Sequence, residues 1–194
     1  HNRCRRQRQM CIRDRLISLE PWIVNAEWSE KLPKLNELRD KVKKMGFWLP
    51  QVSKEYGGLG LSLEQHGEVS EILGASPYGF YVFNCQAPDA GNMEVLIDSG
   101  TEEQKEQYLY PLLEGKIRSC FAMTEPQYAG SNPTRMGTTA KKENENYIIN
   151  GHKWFTSSFD GANFAIVMVV TDPDGEDVHK LSLIHISEPT RHTR

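Results

Sequence analysis

Ser119-Cys-Phe-Ala-Met-Thr-Glu-Pro-Gln-Tyr-Ala-Gly-Ser-Asn-Pro133 divides the chain into two kinds of sequence. Its first six residues are a short, mostly apolar run of strand type. The rest is a loop of small and polar residues. The amphipathic patterns before it have a helical period, and those after it read as strands and turns. Helices first and strands second place the chain in the α+β class, with two segregated packing units. A loop that leaves a strand end with exposed backbone N–H groups and hydroxyls can cradle the polar edge of a cofactor or can be an ordinary connection. The residues alone leave both open.

Upstream, Leu32, Leu35, Leu38, Val42 and Met45 recur at spacings of three and four with charges between them. Ser29 reads as the N-cap of this helix, Pro33 as a first-turn proline, and Gly46 as its stop. Glu55-Tyr-Gly-Gly-Leu-Gly60 is a loop. Ser62-Leu-Glu-Gln65 is a capping box opening a helix that carries Leu63, Val69, Ile72 and Leu73. Met93, Val95, Leu96 and Ile97 mark a further helix ending at Gly100. Thr101-Glu-Glu-Gln104 is a second capping box, before a helix that buries Tyr108, Leu109, Leu112 and Leu113, with its acids in the first turn.

Downstream, Tyr147-Ile-Ile149 runs into Asn150-Gly151, the strongest two-residue hairpin signal, with His152 to Thr156 as the return strand. Glu143 to Asn146 is a polar turn ahead of that pair. Phe164 to Thr171 is a buried-strand candidate, ended by Asp172-Pro-Asp-Gly175.

The 194 residues carry 23 Lys+Arg and 26 Asp+Glu, a net charge of −3. The basic residues concentrate at the ends. Six arginines fall within residues 1–15 and two within 181–194. Arg5 to Arg15 and Leu181 to Arg191 resemble the two translations of a transposase-type sequencing adapter, because one DNA stretch and its reverse complement encode Met10–Arg15 and Leu181–Ile186. Both ends, 1–15 and 181–194, are therefore set aside as adapter-like. The remainder divides into a helical domain over 16–117 and a truncated β-domain over 118–180. It holds 15 basic and 24 acidic side chains, a net −9, which argues against a nucleic-acid partner. No apolar run is long enough to span a membrane. Cys85 and Cys120 are too few for a disulfide scaffold and read as buried thiols or as a sign of a reducing compartment.

Chemistry visible from residue types alone is sparse. Gly57-Gly58-Leu59-Gly60 lacks the spacing and the preceding strand of a phosphate loop and reads as a turn. His66, His152 and His179 have no metal-type spacing. Glu102, Glu103 and Glu106 read as a solvated helix start. The Trp154-Phe155 pair is either core or a platform for a flat ligand, and by composition core is favoured.

Several ordered motifs add a resemblance. Phe121-Ala-Met-Thr-Glu-Pro126 followed by Ala129-Gly-Ser131 resembles the signature of the acyl-CoA dehydrogenase family. Tyr147-Ile-Ile-Asn-Gly-His-Lys-Trp-Phe-Thr156 is similar to its second motif, Y-I-I-N-G-x-K followed by the flavin strand. Glu55 to Gly60, Gly100 to Lys105 and Pro111 to Gly115 resemble further family segments in order, so the likeness covers residues 28–180. There are departures. Gln127-Tyr128 stands where one glycine is usual, Asn132 where Asp is usual, Phe155 where Trp is usual, and Ser157 where Thr is usual.

The resemblance implies an N-terminal all-helical domain followed by a truncated antiparallel β-domain, with a C-terminal helical domain in the complete family fold. It implies FAD as cofactor, with Phe121, Ala122, Met123 and Thr124 lining the isoalloxazine. Phe155, Thr156 and Ser157 would cover and bond it, and Ser131 would lie near the pyrophosphate and the CoA moiety of the substrate. The activity implied is α,β-dehydrogenation of an acyl-CoA thioester, with electron-transfer flavoprotein as acceptor and a homo-oligomeric parent. The location implied is cytoplasmic in a prokaryote, and mitochondrial or peroxisomal in a eukaryote. The family's catalytic base belongs to the C-terminal domain. Glu125 belongs instead to the framework of the flavin loop, so the chain as it stands is expected to have no turnover. Two other readings are an acyl-CoA oxidase-type flavoenzyme and a non-enzymatic helical binding module.

Overall fold

The computed structural model describes residues 2–130, 132–144, 146–172 and 182–187, with 2–11 and 182–187 described as backbone. Among the described residues, six helices and a 3-10 turn at Lys54–Tyr56 precede five strands. The helices are α1 (Asn2–Ile23), α2 (Trp28–Lys44), α3 (Leu63–Leu73), α4 (Gly79–Val82), α5 (Asp89–Ser99) and α6. The last runs as Glu102–Gln104, a π-helical turn Lys105–Leu109, and Tyr110–Leu113. The strands are β1 (Ser119–Ala122), β2 (Thr139–Glu143), β3 (Asn146–Asn150), β4 (Phe164–Val170) and β5 (Ser182–Ser187). α1 and β5 include residues of the two end segments, 1–15 and 181–194. The chain forms two compact units, His1–Ala90 and Gly91–Arg194. No helix among the described residues is long and apolar enough to cross a membrane.

In the first unit, the spacing of apolar residues does what a period of 3.6 requires. Leu35, Leu38 and Val42 are buried on one face of α2, with Leu32 and Met45 packed at its edge. They join Ile12, Leu16 and Ile23 of α1, Val69 and Leu73 of α3, and Val82 and Phe83. α2 begins two residues earlier than an N-cap at Ser29 implies, at Trp28 after Glu27, so Pro33 lies in the second turn rather than the first. The Ser62–Gln65 capping box forms in both directions, at 3.1 and 3.3 Å. Of the apolar residues α3 carries, Leu63 is 88% exposed. It is the first helical residue, and Val69, Ile72 and Leu73 alone turn inward.

Two cations are buried in this unit and use tyrosines. Lys31 donates to the Tyr78 hydroxyl at 3.1 Å and Arg39 to the Tyr81 hydroxyl at 3.2 Å. The Arg39 guanidinium also lies 5.1 and 4.7 Å from the ring centres of Trp48 and Tyr81.

The second unit packs Met93 and Leu96 of α5, and Leu109 and Leu112 of α6, with Cys120, Phe164, Ile166 and Val169 in its buried interior. The Tyr108 and Phe164 rings lie 4.8 Å apart. The Thr101–Gln104 capping box forms at 3.0 and 3.3 Å. Buried Asn92 on α5 ties to the start of β1, donating to Ser119 Oγ at 2.8 Å and to the Cys120 carbonyl at 3.1 Å. Cys85 in the first unit and Cys120 in the second are buried free thiols. Burial pushes Cys85 up to about 12, which leaves almost no thiolate.

The sheet is mixed, which corrects the antiparallel expectation. β1 runs parallel to β4 from Ser119↔Phe164 to Ala122↔Val167. β2 meets β4 in parallel at Thr139↔Val170. The β2–β3 and β4–β5 pairs are antiparallel. The reason is the length of chain between β1 and β4. Residues 123–163 form a crossover long enough to return the chain to the same edge in the same direction, which a two-residue turn cannot do. β4 therefore has neighbours on both edges, and Phe164, Ala165, Ile166 and Val169 of its apolar run are buried. β5 lies along one edge, so β1 and β2 must share the other, end to end.

The polar turn expected at Glu143 to Asn146 is where β2 and β3 join, at Asn144, but the hairpin expected at Asn150-Gly151 does not form. Residues 151–155 are irregular and make no return strand. Gly151 serves a close approach instead. A Cβ placed there would meet Thr138 Cα at 2.6 Å.

Two glycine substitutions separate close packing from helix propensity. A Cβ on Gly58 would lie 2.5 Å from the backbone carbonyl carbon of Val52, whereas one on Gly67, mid-helix in α3, would meet nothing within 4 Å. Gly58→Ala is expected to lower stability by about 2 kcal/mol, and Gly67→Ala to raise it by about 0.7 kcal/mol. Urea unfolding midpoints of the two variants check both signs.

Candidate functional site

The shared edge of β4 has a break in it. β1 stops at Ala122, opposite Val167, and β2 starts at Thr139, opposite Val170. The chain leaves the sheet through this break as Met123-Thr124-Glu125 and comes back to it as Met136-Gly137-Thr138. A third segment, Lys153-Trp154-Phe155, crosses the same place after β3.

Thr124 and Trp154 pair in both directions. The Trp154 N–H donates to the Thr124 carbonyl at 3.1 Å, and the Thr124 hydroxyl donates to the Trp154 carbonyl at 2.5 Å. Beside them lies a buried ion pair. Glu125 is 3% exposed, and its Oε1 accepts from Lys153 Nζ at 2.7 Å. The same carboxylate accepts from the Gly137 N–H at 2.6 Å and the Thr138 N–H at 2.9 Å. Lys153 donates further to the Met123 carbonyl at 2.8 Å. Burial alone would raise the Glu125 pKa. The Lys153 ammonium and the Gly137 and Thr138 amides outweigh it and hold the group down to about 2.

The structure places the sequence candidates as follows. Phe121 and Ala122 lie on β1, and Met123 and Thr124 just past its end. Phe155, Thr156 and Ser157 lie in the irregular segment that Trp154 anchors. Ser131 lies outside the described residues, as do His179 and the end of the turn expected at Asp172 to Gly175. The Trp154-Phe155 pair is not core. Trp154 is 41% exposed and Phe155 79% exposed, with ring centres 4.4 Å apart. The Phe155 backbone is held at φ 50°, a left-handed conformation unusual for an aromatic residue. Sequence reasoning singled out neither Lys153, visible only as the lysine of the N-G-x-K motif, nor Gly137 and Thr138, which carried no signal. Among the described residues, no group of three or more His, Cys, Asp or Glu could hold a metal ion.

The site can present an exposed pair of aromatic rings, tilted 36° to one another, next to a strand end whose polar groups are fixed by hydrogen bonds. It cannot offer Glu125 as a proton acceptor, because that carboxylate is buried and already bonded to three donors.

The low pKa has a consequence for acid stability. The Glu125 contribution is fully present above pH 4.5 and is lost as pH falls toward about 2. Its size is on the order of 3 kcal/mol. Glu125→Gln is expected to flatten that part of the profile. Urea midpoints of wild type and variant, measured from neutral pH down through this window, should converge on acidification. A constant gap between them would count against the assignment.

The comparisons with known proteins agree with this architecture. Residues 17–116 match the family model for the acyl-CoA dehydrogenase N-terminal domain, and residues 120–193 match that for the middle domain. Mouse acyl-CoA dehydrogenase family member 10 is 40% identical over 186 residues, covering 89% of this chain and 17% of that protein. The solved "Structure of a putative acyl-CoA dehydrogenase from Mycobacterium abscessus" superposes with a TM-score of 0.83 at 33% identity, over 95% of this chain and 50% of that one. The structure titled "FAD complex of PigA" superposes with a TM-score of 0.66 at 26% identity, over 93% of this chain and 47% of the other. The chain thus spans half or less of the length of these relatives. With both family models matched in order across nearly its whole length, the chain belongs to the acyl-CoA dehydrogenase family.

Proposed function

We propose that this chain supplies part of the flavin site of an FAD-dependent acyl-CoA dehydrogenase that removes the α and β hydrogens of an acyl-CoA thioester. One observation carries the reading. The Thr124–Trp154 pairing leaves the Phe155 ring 79% exposed, beside the end of β1. An exposed aromatic pair at that place fits a planar ring system with an apolar face and a polar edge.

In this reading the chemistry that FAD would supply here is a hydride acceptor for the β-carbon. The chain's residues do the rest of the work at this site. Phe121, Ala122 and Met123 form one wall for the ring system. Thr124 offers its backbone N–H to its polar edge, and its hydroxyl, which already donates to the Trp154 carbonyl, can only accept there. Phe155 covers it and excludes water, with Thr156 and Ser157 as further hydrogen-bonding groups. Ser131 serves the pyrophosphate and the CoA moiety. The α-proton goes to a carboxylate outside this chain, because Glu125 is spent on Lys153 and two backbone amides. Electron-transfer flavoprotein is the proposed acceptor, and the parent protein a homo-oligomer.

The full-length product of the gene is expected to purify with a visible flavin spectrum, or to acquire one on titration with FAD. Anaerobic addition of a saturated acyl-CoA is expected to bleach the oxidised-flavin band. Phe155→Ala is expected to weaken FAD binding about tenfold, or 1.4 kcal/mol. The 194-residue chain alone is expected to reduce no acceptor. A full-length product that stays colourless in excess FAD would overturn the reading.

A further inference from the structure

The Lys153 ammonium draws together residues from three stretches of the chain. It donates to the Met123 carbonyl at 2.8 Å and to Glu125 Oε1 at 2.7 Å, and it approaches Met136 Sδ at 3.7 Å. The two charged side chains are 11% and 3% exposed, so water cannot easily replace either partner and the geometry is stiff. Lys153 also precedes Trp154, whose backbone is zipped to Thr124.

The bond to Met123 has a directional effect on its neighbour. A trans peptide points its C=O and its N–H in opposite directions. With the Met123 carbonyl turned onto Lys153, the N–H of the next residue, Thr124, is turned away from the ion pair. That N–H finds no acceptor among the described residues, although the Thr124 carbonyl and hydroxyl are both engaged by Trp154.

We propose that Lys153 is a positioning residue for the flavin site. By holding the Met123 carbonyl, it presents the Thr124 N–H to the polar edge of the ring system, and Glu125 keeps the ammonium in place. The proposal rests on the flavin reading above. It goes beyond that reading by assigning a role to a side chain that need not touch the cofactor.

The test uses the full-length gene product and three readouts: the FAD dissociation constant, the urea midpoint, and hydrogen exchange of the peptide containing Thr124 with and without FAD. Wild type is expected to bind FAD and to show slowed exchange of that peptide when FAD is bound. Lys153→Met is expected to raise the dissociation constant at least tenfold and to lose that protection even at saturating FAD. It should also lower the urea midpoint, because Glu125 is left as an unpaired buried charge. The double variant Glu125→Gln/Lys153→Met removes that charge. It is expected to recover most of the midpoint but not the FAD affinity. Recovery of both would overturn the proposal and leave the pair a purely structural element. Should either methionine variant fail to fold, Lys153→Arg decides. Its planar fork keeps the charge opposite Glu125 but puts its donors elsewhere, so a weakened FAD affinity at an unchanged midpoint supports the proposal, and an unchanged affinity overturns it. Wild type that binds no FAD would sink the flavin reading itself, and this inference with it.

Discussion

The buried pair between Glu125 and Lys153 is the constraint on which the candidate site depends. The break in the β4 edge leaves three irregular segments with few ladder hydrogen bonds of their own. Irregular backbone at a sheet edge is ordinarily the first part of a domain to open. Here one carboxylate takes the Gly137 and Thr138 amides and the lysine, and the lysine takes the Met123 carbonyl. A buried ion pair offsets its desolvation only when its remaining donors and acceptors are filled. This one has them filled by backbone from the segments it must hold.

That arrangement explains why the surface next to it can be costly in other ways. Phe155 is an aromatic residue in a left-handed backbone conformation with most of its ring exposed. Each feature is unfavourable for a residue with no task, by about 1 kcal/mol for the backbone alone. They persist because Trp154 on one side is fixed by two hydrogen bonds to Thr124, which leaves its neighbour little choice. Strain of this kind gathers where a surface is kept ready for a ligand. The exposed face, the fixed strand end and the neutralised carboxylate therefore describe one device.

Much of the architecture was legible residue by residue. Both capping boxes, Ser62–Gln65 and Thr101–Gln104, form as written. The Leu35, Leu38 and Val42 face is buried, and β4 begins at Phe164 as its apolar run suggests. The failures are equally specific. Leu63 counts among the apolar residues of α3 but, as its first residue, points to solvent. Asn150-Gly151 matched a hairpin signal, but its glycine is needed where the backbone passes Thr138. For Trp154-Phe155, composition alone favours core over a ligand platform, because large aromatic residues usually are core, and here composition misleads.

The sequence by itself determined α2, α3, α5 and α6, the two capping boxes, the order of α before β, and the family to which the motifs point. Those features are set by interactions among residues three or four apart, or by runs of one residue type, and both are written in the chain. Only the tertiary structure decided that β1 and β2 share one edge of β4, that the sheet is mixed, and that Glu125 meets Lys153. These depend on contacts across 28 residues for the ion pair and 45 for the start of the β1–β4 ladder. The intervening loops must close before any such contact stabilises the chain. No local pattern encodes which distant residue will stand at the other end, so a lysine in a turn and a glutamate in a loop look ordinary until the fold brings them together.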